Sequence, residues 1–296
     1  MILSNTSYPI TYHLPLRNAV DIMSDAGFDA IDFSAGNEEY YGDTHNKEFY
    51  LELKKYAESK GIFFNQAHAP TPSAVESKEE SEIKFRNIVG SMRNASYLGA
   101  KTIVVHPIKH LRYDFEENTE RLFEYNMKLY SRLVPYCEEY GIRVALENLW
   151  QKEKPGWDKI THSVCSRPEE FIRYIDALDN EWLTACLDIG HAQLVCEDPA
   201  NFIKALGNKR LTCLHVHDVN GMIDSHDPPY FGVVDWDRVM KALVEIDYQG
   251  DFTFEVCGEF FKSKLIELSP VYMRMIADTG RFLLNKYNKF KEELSR

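Results

Sequence analysis

A closed (β/α)8 barrel is the fold class this sequence predicts, on three observations. Eight short apolar runs alternate with longer amphipathic stretches along the whole chain, the pattern of a parallel sheet with crossover helices. The 296 residues are the usual size for eight such units closed into one domain, so a single domain over 1–296 is expected. The stretch after the first run, SNTSYPITYH, is no glycine-rich phosphate loop, which a doubly wound open sheet often carries there.

The predicted strands lie at 2–4, 28–33, 62–67, 102–106, 143–147, 184–188, 211–215 and 252–256. Several are rich in Val, Ile and Phe and too short for helices. Helices are predicted at 16–26, 46–60, 81–98, 118–140, 168–178, 199–206, 235–246 and 263–289, with KYNKFKEEL as a solvated last turn. Gly27, Gly61, Gly99, Gly141 and Gly250 fall between a helix and the next strand, where glycine can close a helix. Pro168 and Pro199 stand where helices start. Long βα segments at 68–80, 148–167 and 217–234 are the expected functional loops, because barrels carry chemistry on that face.

Composition narrows the function. A formal net charge of −12 repels polyanions and counts against nucleic acid as a partner. No apolar run is long enough to span a bilayer, and the first residues lack a signal-peptide pattern. The six cysteines form no C-x-x-C pair, as expected of reduced thiols in a cytoplasmic protein.

The chemistry is written where the strands end. The third ends at His68, the fourth at His106, the fifth at Glu147, the sixth at Asp188 and the seventh at His215, with His217 and Asp218 just beyond; Glu255 lies near the end of the eighth. In a barrel these side chains converge on one rim. One buried histidine is commonly structural, but six successive strands delivering acids and imidazoles to one rim is not a packing pattern. In LTACLDIGHAQL, the plain structural alternative is that Asp188 caps the next helix with His191 in its first turn. Asp224 and His226, in DSHDPP, are two more potential ligands, or a polar turn. Imidazole mixed with carboxylate suits Zn²⁺, Mn²⁺ or Fe²⁺. Without a cation Glu147, Asp188 and Glu255 would repel one another.

Taken together, HAP, VVHP, ALEN, LDxGH, the H-x-x-D of His215 to Asp218, D-x-H with PP following, VDW and the terminal strand resemble the xylose isomerase-like TIM-barrel superfamily, specifically its sugar phosphate isomerase/epimerase and endonuclease IV group. The motifs occur in the family's order over nearly the whole chain. The resemblance implies metal ligands at Glu147, Asp188, His215 and Glu255. In endonuclease members, residues matching His68, His106, His191, Asp224 and His226 complete a trinuclear zinc site. His217 rivals His215; the family's spacing to Asp218 favours His215. Many relatives carry Gly-x-Gly after the D-x-H pair, whereas here Phe231 precedes Gly232, and that bulk is expected to alter the pocket.

The function expected is therefore a metal-dependent isomerase or epimerase of a small sugar, sugar phosphate or polyol-derived ketone. Glu147 and Glu255 would transfer protons through a metal-stabilised enediolate. Mn²⁺ or Zn²⁺ is the expected cation, with Fe²⁺, Co²⁺ or Mg²⁺ as alternatives. His68, His106, His191, His217, Asp224 and His226 would form a second metal site or line the substrate pocket. The alternatives are an endonuclease IV-like zinc phosphodiesterase acting on abasic DNA, and a non-catalytic sugar-binding barrel. The acidic segments 34–46 and 68–80 disfavour the first; the density of metal-type residues disfavours the second. The outer helices leave a homo-oligomer open. Trp150, Trp157, Tyr230, Phe231 and Trp236 lie near the rim in sequence and read individually as loop-packing aromatics.

Overall fold

The computed structural model describes residues 1–109, 115–154, 156, 158–258 and 266–295. Strands β1 (Leu3–Thr6), β2 (Ala30–Ser34), β3 (Phe63–His68), β4 (Thr102–Val104), β5 (Arg143–Glu147), β8 (Leu183–Asp188), β9 (Leu211–His215) and β10 (Phe252–Phe254) form one parallel sheet. Its order is β10-β1-β2-β3-β4-β5-β8-β9. A parallel bridge between Val216 and Phe254, with Val216 N–H donating to Thr253 O at 2.9 Å, joins β9 back to β10 and closes the barrel. The eight strands coincide with the eight predicted runs to within two residues.

Helices α1 (Tyr8–Thr11), α2 (Leu16–Ala26), α3 (Glu38–Tyr41), α4 (Lys47–Ser59), α5 (Lys78–Leu98), α6 (Phe115–Tyr140), α7 (Pro168–Leu178), α8 (Ile189–Leu194), α9 (Pro199–Arg210), α10 (Trp236–Glu245) and α11 (Ser269–Leu294) connect the strands. The capping is local chemistry: Asn46, Ser77 and Asp198 each accept a first-turn N–H. Pro168 and Pro199 begin their helices. Gly27, Gly61, Gly99 and Gly141 take positive φ as expected, but Gly250 does not. A Cβ on Gly250 would lie 2.2 Å from Thr212 O, so close packing is what excludes a side chain there. The last helix begins at Ser269, not 263, and continues through KYNKFKEEL to Leu294, with Tyr287 buried; positions 263–265 lie outside the described residues.

The main core lies between the strands' outer faces and the helices. Ile31, Phe33, Val144, Leu146 and Leu187 belong to it. Alternate residues point into the barrel, where Val104, Ala145, Cys186 and Cys213 pack as a separate small cluster. Two residues further along, this inward face of β5, β8 and β9 carries Glu147, Asp188 and His215. The segment 148–167, expected to be a loop, contains an antiparallel hairpin, β6 (Trp150–Lys152) with β7 (Ile160–His162). Among the described residues no helix is long and apolar enough to cross a membrane, and all six cysteines are free.

Candidate metal centre

The rim brings together His68, His106, Glu147, Asp188, His215, His217 and Glu255 from the strand ends, but not Asp218. Glu147, Asp188, His215 and Glu255 each offer one ligand atom, and these atoms lie within 4.8 Å of one another. His215 Nδ1 is 3.1 Å from Glu147 Oε1 and 3.4 Å from Glu255 Oε2. Among the described residues one further group joins His68 to His215 and Glu255, and two others adjoin. His68 and His106 meet Glu147, with His106 Nε2 at 3.0 Å and His68 Nε2 at 3.6 Å from Oε2. His191, His217, Asp224 and His226 form the other, again within 4.8 Å. His226 Nε2 lies 3.1 Å and His191 Nε2 3.3 Å from Asp224 Oδ2, while His217 Nε2 lies 3.0 Å from both Asp188 oxygens. The two rivals on β9 and its extension thus divide: His215 joins Glu147 and Glu255, and His217 joins the Asp224 group.

Local structure explains these placements. Asp188 both caps and faces the cluster: Oδ1 accepts His191 N–H at 2.6 Å as the N-cap of α8, while Oδ2 is 3.0 Å from His217. The capping alternative and the ligand reading therefore describe the same side chain. Asn148 fastens β5 to β8, donating to Asp188 O at 2.9 Å and accepting Asp188 N–H at 2.7 Å. This sets Glu147 beside Asp188. Gly190 is required because a Cβ would stand 2.1 Å from the His217 ring. Asp218, fully buried, accepts N–H groups from Val219, Tyr230 and Val234 and the indole N–H of Trp236, so it holds the loop after β9 rather than facing the cluster. Asp218 and Asp227 exchange backbone hydrogen bonds, which pins Asp224 and His226 over the rim. His226 sits at φ 48°, a left-handed conformation uncommon for a non-glycine residue and found at functional sites.

The aromatic expectations separate. Trp150 donates its indole N–H to Asp224 Oδ2 at 3.0 Å. Trp236 is buried at the start of α10. Tyr230 and Phe231 are exposed and line a groove with Val271 and Phe282 on α11, not the rim pocket, so the bulk of Phe231 falls outside that pocket. Trp157 lies outside the described residues. Sequence reasoning missed the pocket's other wall. A cavity of about 430 Å³ opens over Glu147, His191, Asp224 and Glu255, and Thr6, Tyr8, Tyr12, Ser34, Asn37 and Thr71 line it opposite them. Thr6, Tyr8, Tyr12, Ser34 and Asn37 come from the ends of β1 and β2 and the connections after them, which carry no motif, while Thr71 lies in the segment 68–80 expected to be functional. Asp32, fully buried on β2, was also missed; burial pushes its carboxyl up to about 6 against the pull of the His215 and His68 imidazoles.

The electrostatics fit a cation. Burial pushes Glu147 up, but the imidazoles of His215 and His106 prevail and hold it well below the usual carboxylate range. Asp224 is held low in the same way by His191 and His226. Burial works against protonation of His191, but Asp188 and Asp224 raise it to about 10. Protons on imidazoles thus balance the acids. Glu147 Oε2 and Asp224 Oδ1 are buried without a hydrogen bond of acceptable geometry among the described residues, despite the imidazole nitrogen 3.0 Å from the former. A divalent ion would satisfy such atoms, and the nitrogen–oxygen donor set suits Zn²⁺ or Mn²⁺.

This balance predicts a pH effect. In metal-free protein the charged His191 contributes stability that is complete below its unfolded value of 6.5 and is lost as pH rises towards about 10. Chelated protein should therefore melt at progressively lower temperature across that window. A ligating imidazole must be neutral, so metal uptake at pH 7 should release protons, read as a calorimetric enthalpy that varies with the buffer's ionisation enthalpy. Uptake independent of buffer would contradict the charge state described.

A barrel whose C-terminal rim carries a cluster of buried acids and imidazoles beneath a polar pocket is the class that fold and site define. The family model described as xylose isomerase-like TIM barrel matches residues 20–268, and the chain belongs to that family. Relatives agree. The D-psicose 3-epimerase of Enterocloster bolteae is 23% identical over 248 residues, covering 81% of this chain and 76% of the relative. Among solved structures, a D-tagatose 3-epimerase-like protein superposes with a TM-score of 0.76 at 22% identity over 100% of both chains. The IOLI protein with a binding zinc atom superposes at 0.77 with 18% identity, over 97% of this chain and 99% of that one.

Proposed function

We propose that the protein is a metal-dependent sugar epimerase or isomerase acting on a small ketose. The observation that carries this reading is the group Glu147, Asp188, His215 and Glu255, with ligand atoms within 4.8 Å of one another, of which Glu147 and Glu255 line a pocket with hydroxyl side chains and Asn37. The relatives named as 3-epimerases of ketoses support it. The four residues would hold the cation, which when bound polarises a substrate carbonyl and neighbouring hydroxyl. Glu147, held ionised, accepts or returns a proton at the carbon next to that carbonyl; Glu255, its side chain 17% exposed to the pocket, does so from the other side. His191, donating from the neighbouring wall, orients a substrate oxygen. Thr6, Ser34, Asn37 and the two tyrosines hydrogen-bond and cover the remaining hydroxyls. Among the described residues lining the pocket there is no Lys or Arg, which favours an uncharged sugar over a sugar phosphate.

The test is a panel of ketohexoses and ketopentoses offered to chelated protein and to protein reloaded with Mn²⁺ or Zn²⁺. Epimer formed only after reloading is the expected result; no conversion of any ketose would remove the reading. A second reading, a zinc phosphodiesterase, draws on one observation: Glu147 belongs to two of the four ligand groups among the described residues and so joins them. The charge of −12 and the lack of Lys or Arg among the described residues lining the pocket weigh against a DNA duplex. Cleavage of an abasic duplex by the zinc-loaded protein would favour it.

A further inference from the structure

We propose that Asp32 is a positioning residue for the metal centre, its carboxylate accepting the Nε2–H of His215 through a bridging water so that Nδ1 keeps its lone pair for the cation. The inference rests on the metal-site reading above and extends it to a residue in the barrel interior. Ile31 and Phe33 face the outer core, so Asp32 between them points inward, on the same face as Ser34, which lines the pocket. Asp32 therefore lies one level below the rim, in register with Thr6 on β1 and Gln66 on β3. It is fully buried, and neither carboxylate oxygen has a hydrogen-bond partner among the described residues. A lone buried carboxylate is costly and persists only where something uses it.

His215 supplies the complementary half. Its Nδ1 faces Glu147 and Glu255 at 3.1 and 3.4 Å. Its Nε2, on the other side of the ring, is buried and likewise without a partner among the described residues. Of the charges acting on Asp32, His215 is the strongest, followed by His68, Glu255 and Glu147, and Asp32 in turn acts on His215. Ligating histidines characteristically donate their second ring N–H to a carboxylate, which fixes the tautomer and ring orientation. Gln66, in register with Asp32 on β3, likewise buries an Nε2 without a partner among the described residues, a second group for the same water. None of these atoms hydrogen-bonds another directly, so the proposed network is closed by an ordered water, which two to four such polar groups can hold.

The test compares wild type with Asp32→Asn, which keeps the shape but weakens the acceptor. Cobalt(II) is the probe, with affinity read by chelator competition and coordination by the visible absorption band. Thermal stability is read on chelated protein. The expected result is a loss of affinity of about tenfold or more with an altered band. Chelated Asp32→Asn should be at least as stable as chelated wild type, because the change removes a buried charge. Unchanged affinity and spectrum would overturn the proposal. So would a chelated variant destabilised in proportion to its lost affinity, the signature of a purely structural residue. Wild type that takes up no cobalt would overturn the metal-site reading and this inference together; wild type that binds while Asp32→Asn binds equally well would overturn this inference alone.

Discussion

Replacing Glu147 with alanine should abolish both metal retention and turnover. Glu147 sits at the junction of two ligand groups, and His106, His68, His191 and His215 all approach its oxygens within 3.6 Å. Alanine removes a ligand atom and the negative charge that offsets the cation, leaving His191 and His215 buried and His68 and His106 half-buried around an empty space. The effect should exceed the ~10–100-fold typical of a second-shell partner. Stability gives an independent readout. A metal present at a hundred times its dissociation constant stabilises the folded state by about 2.7 kcal/mol. Wild type should therefore melt higher with metal than with chelator, and Glu147→Ala should show no such difference. Stoichiometric metal retained by Glu147→Ala, and equally by alanine variants of Asp188, His215 and Glu255, would remove the site as drawn.

The second large effect belongs to Glu255. Its carboxylate borders the pocket and its Oε2 lies 3.4 Å from His215 Nδ1. In Glu255→Gln the amide keeps the shape and one oxygen but cannot take up a proton at neutral pH. If Glu255 is one of two bases across the reacting carbon, kcat should fall by roughly 10² or more, the usual size of a general acid–base contribution. Metal content should survive in part and KM should move little. A variant with lost metal and lost activity in equal measure would make Glu255 a ligand alone.

Much of this was legible in the sequence, for a physical reason. Strands of a closed parallel barrel are buried on both faces and read as near-continuous apolar runs, so LTACLD or RVALE stands out against its polar surroundings. A His or acid ending such a run is conspicuous, which is why the rim residues could be named. What was hidden lacked that contrast. Asp32 lies inside FDAIDFS, where an acid in mid-strand carries no sign of whether it faces the barrel interior or a helix. The hairpin of WQK and ITH is too short and polar to show a period of two. Tyr8 and Tyr12 reach the pocket from α1 and the turn after it, a segment with no motif. His215 and His217 share one strand face, so strand periodicity could not divide them and only the resemblance favoured His215; in space His215 meets Glu147 and His217 meets Asp188.

The central claim is proton transfer at a carbon beside a carbonyl, carried by Glu147 and Glu255 in a metal-dependent site. The measurement that tests it most directly is turnover of the responsive ketose by metal-loaded protein in deuterated water, with the product's reacting carbon read by proton NMR. The account predicts one solvent-derived deuterium at that carbon with its configuration inverted. Product formed with inversion refuted or with no deuterium, as in a hydride shift between carbons, would contradict the two-base assignment.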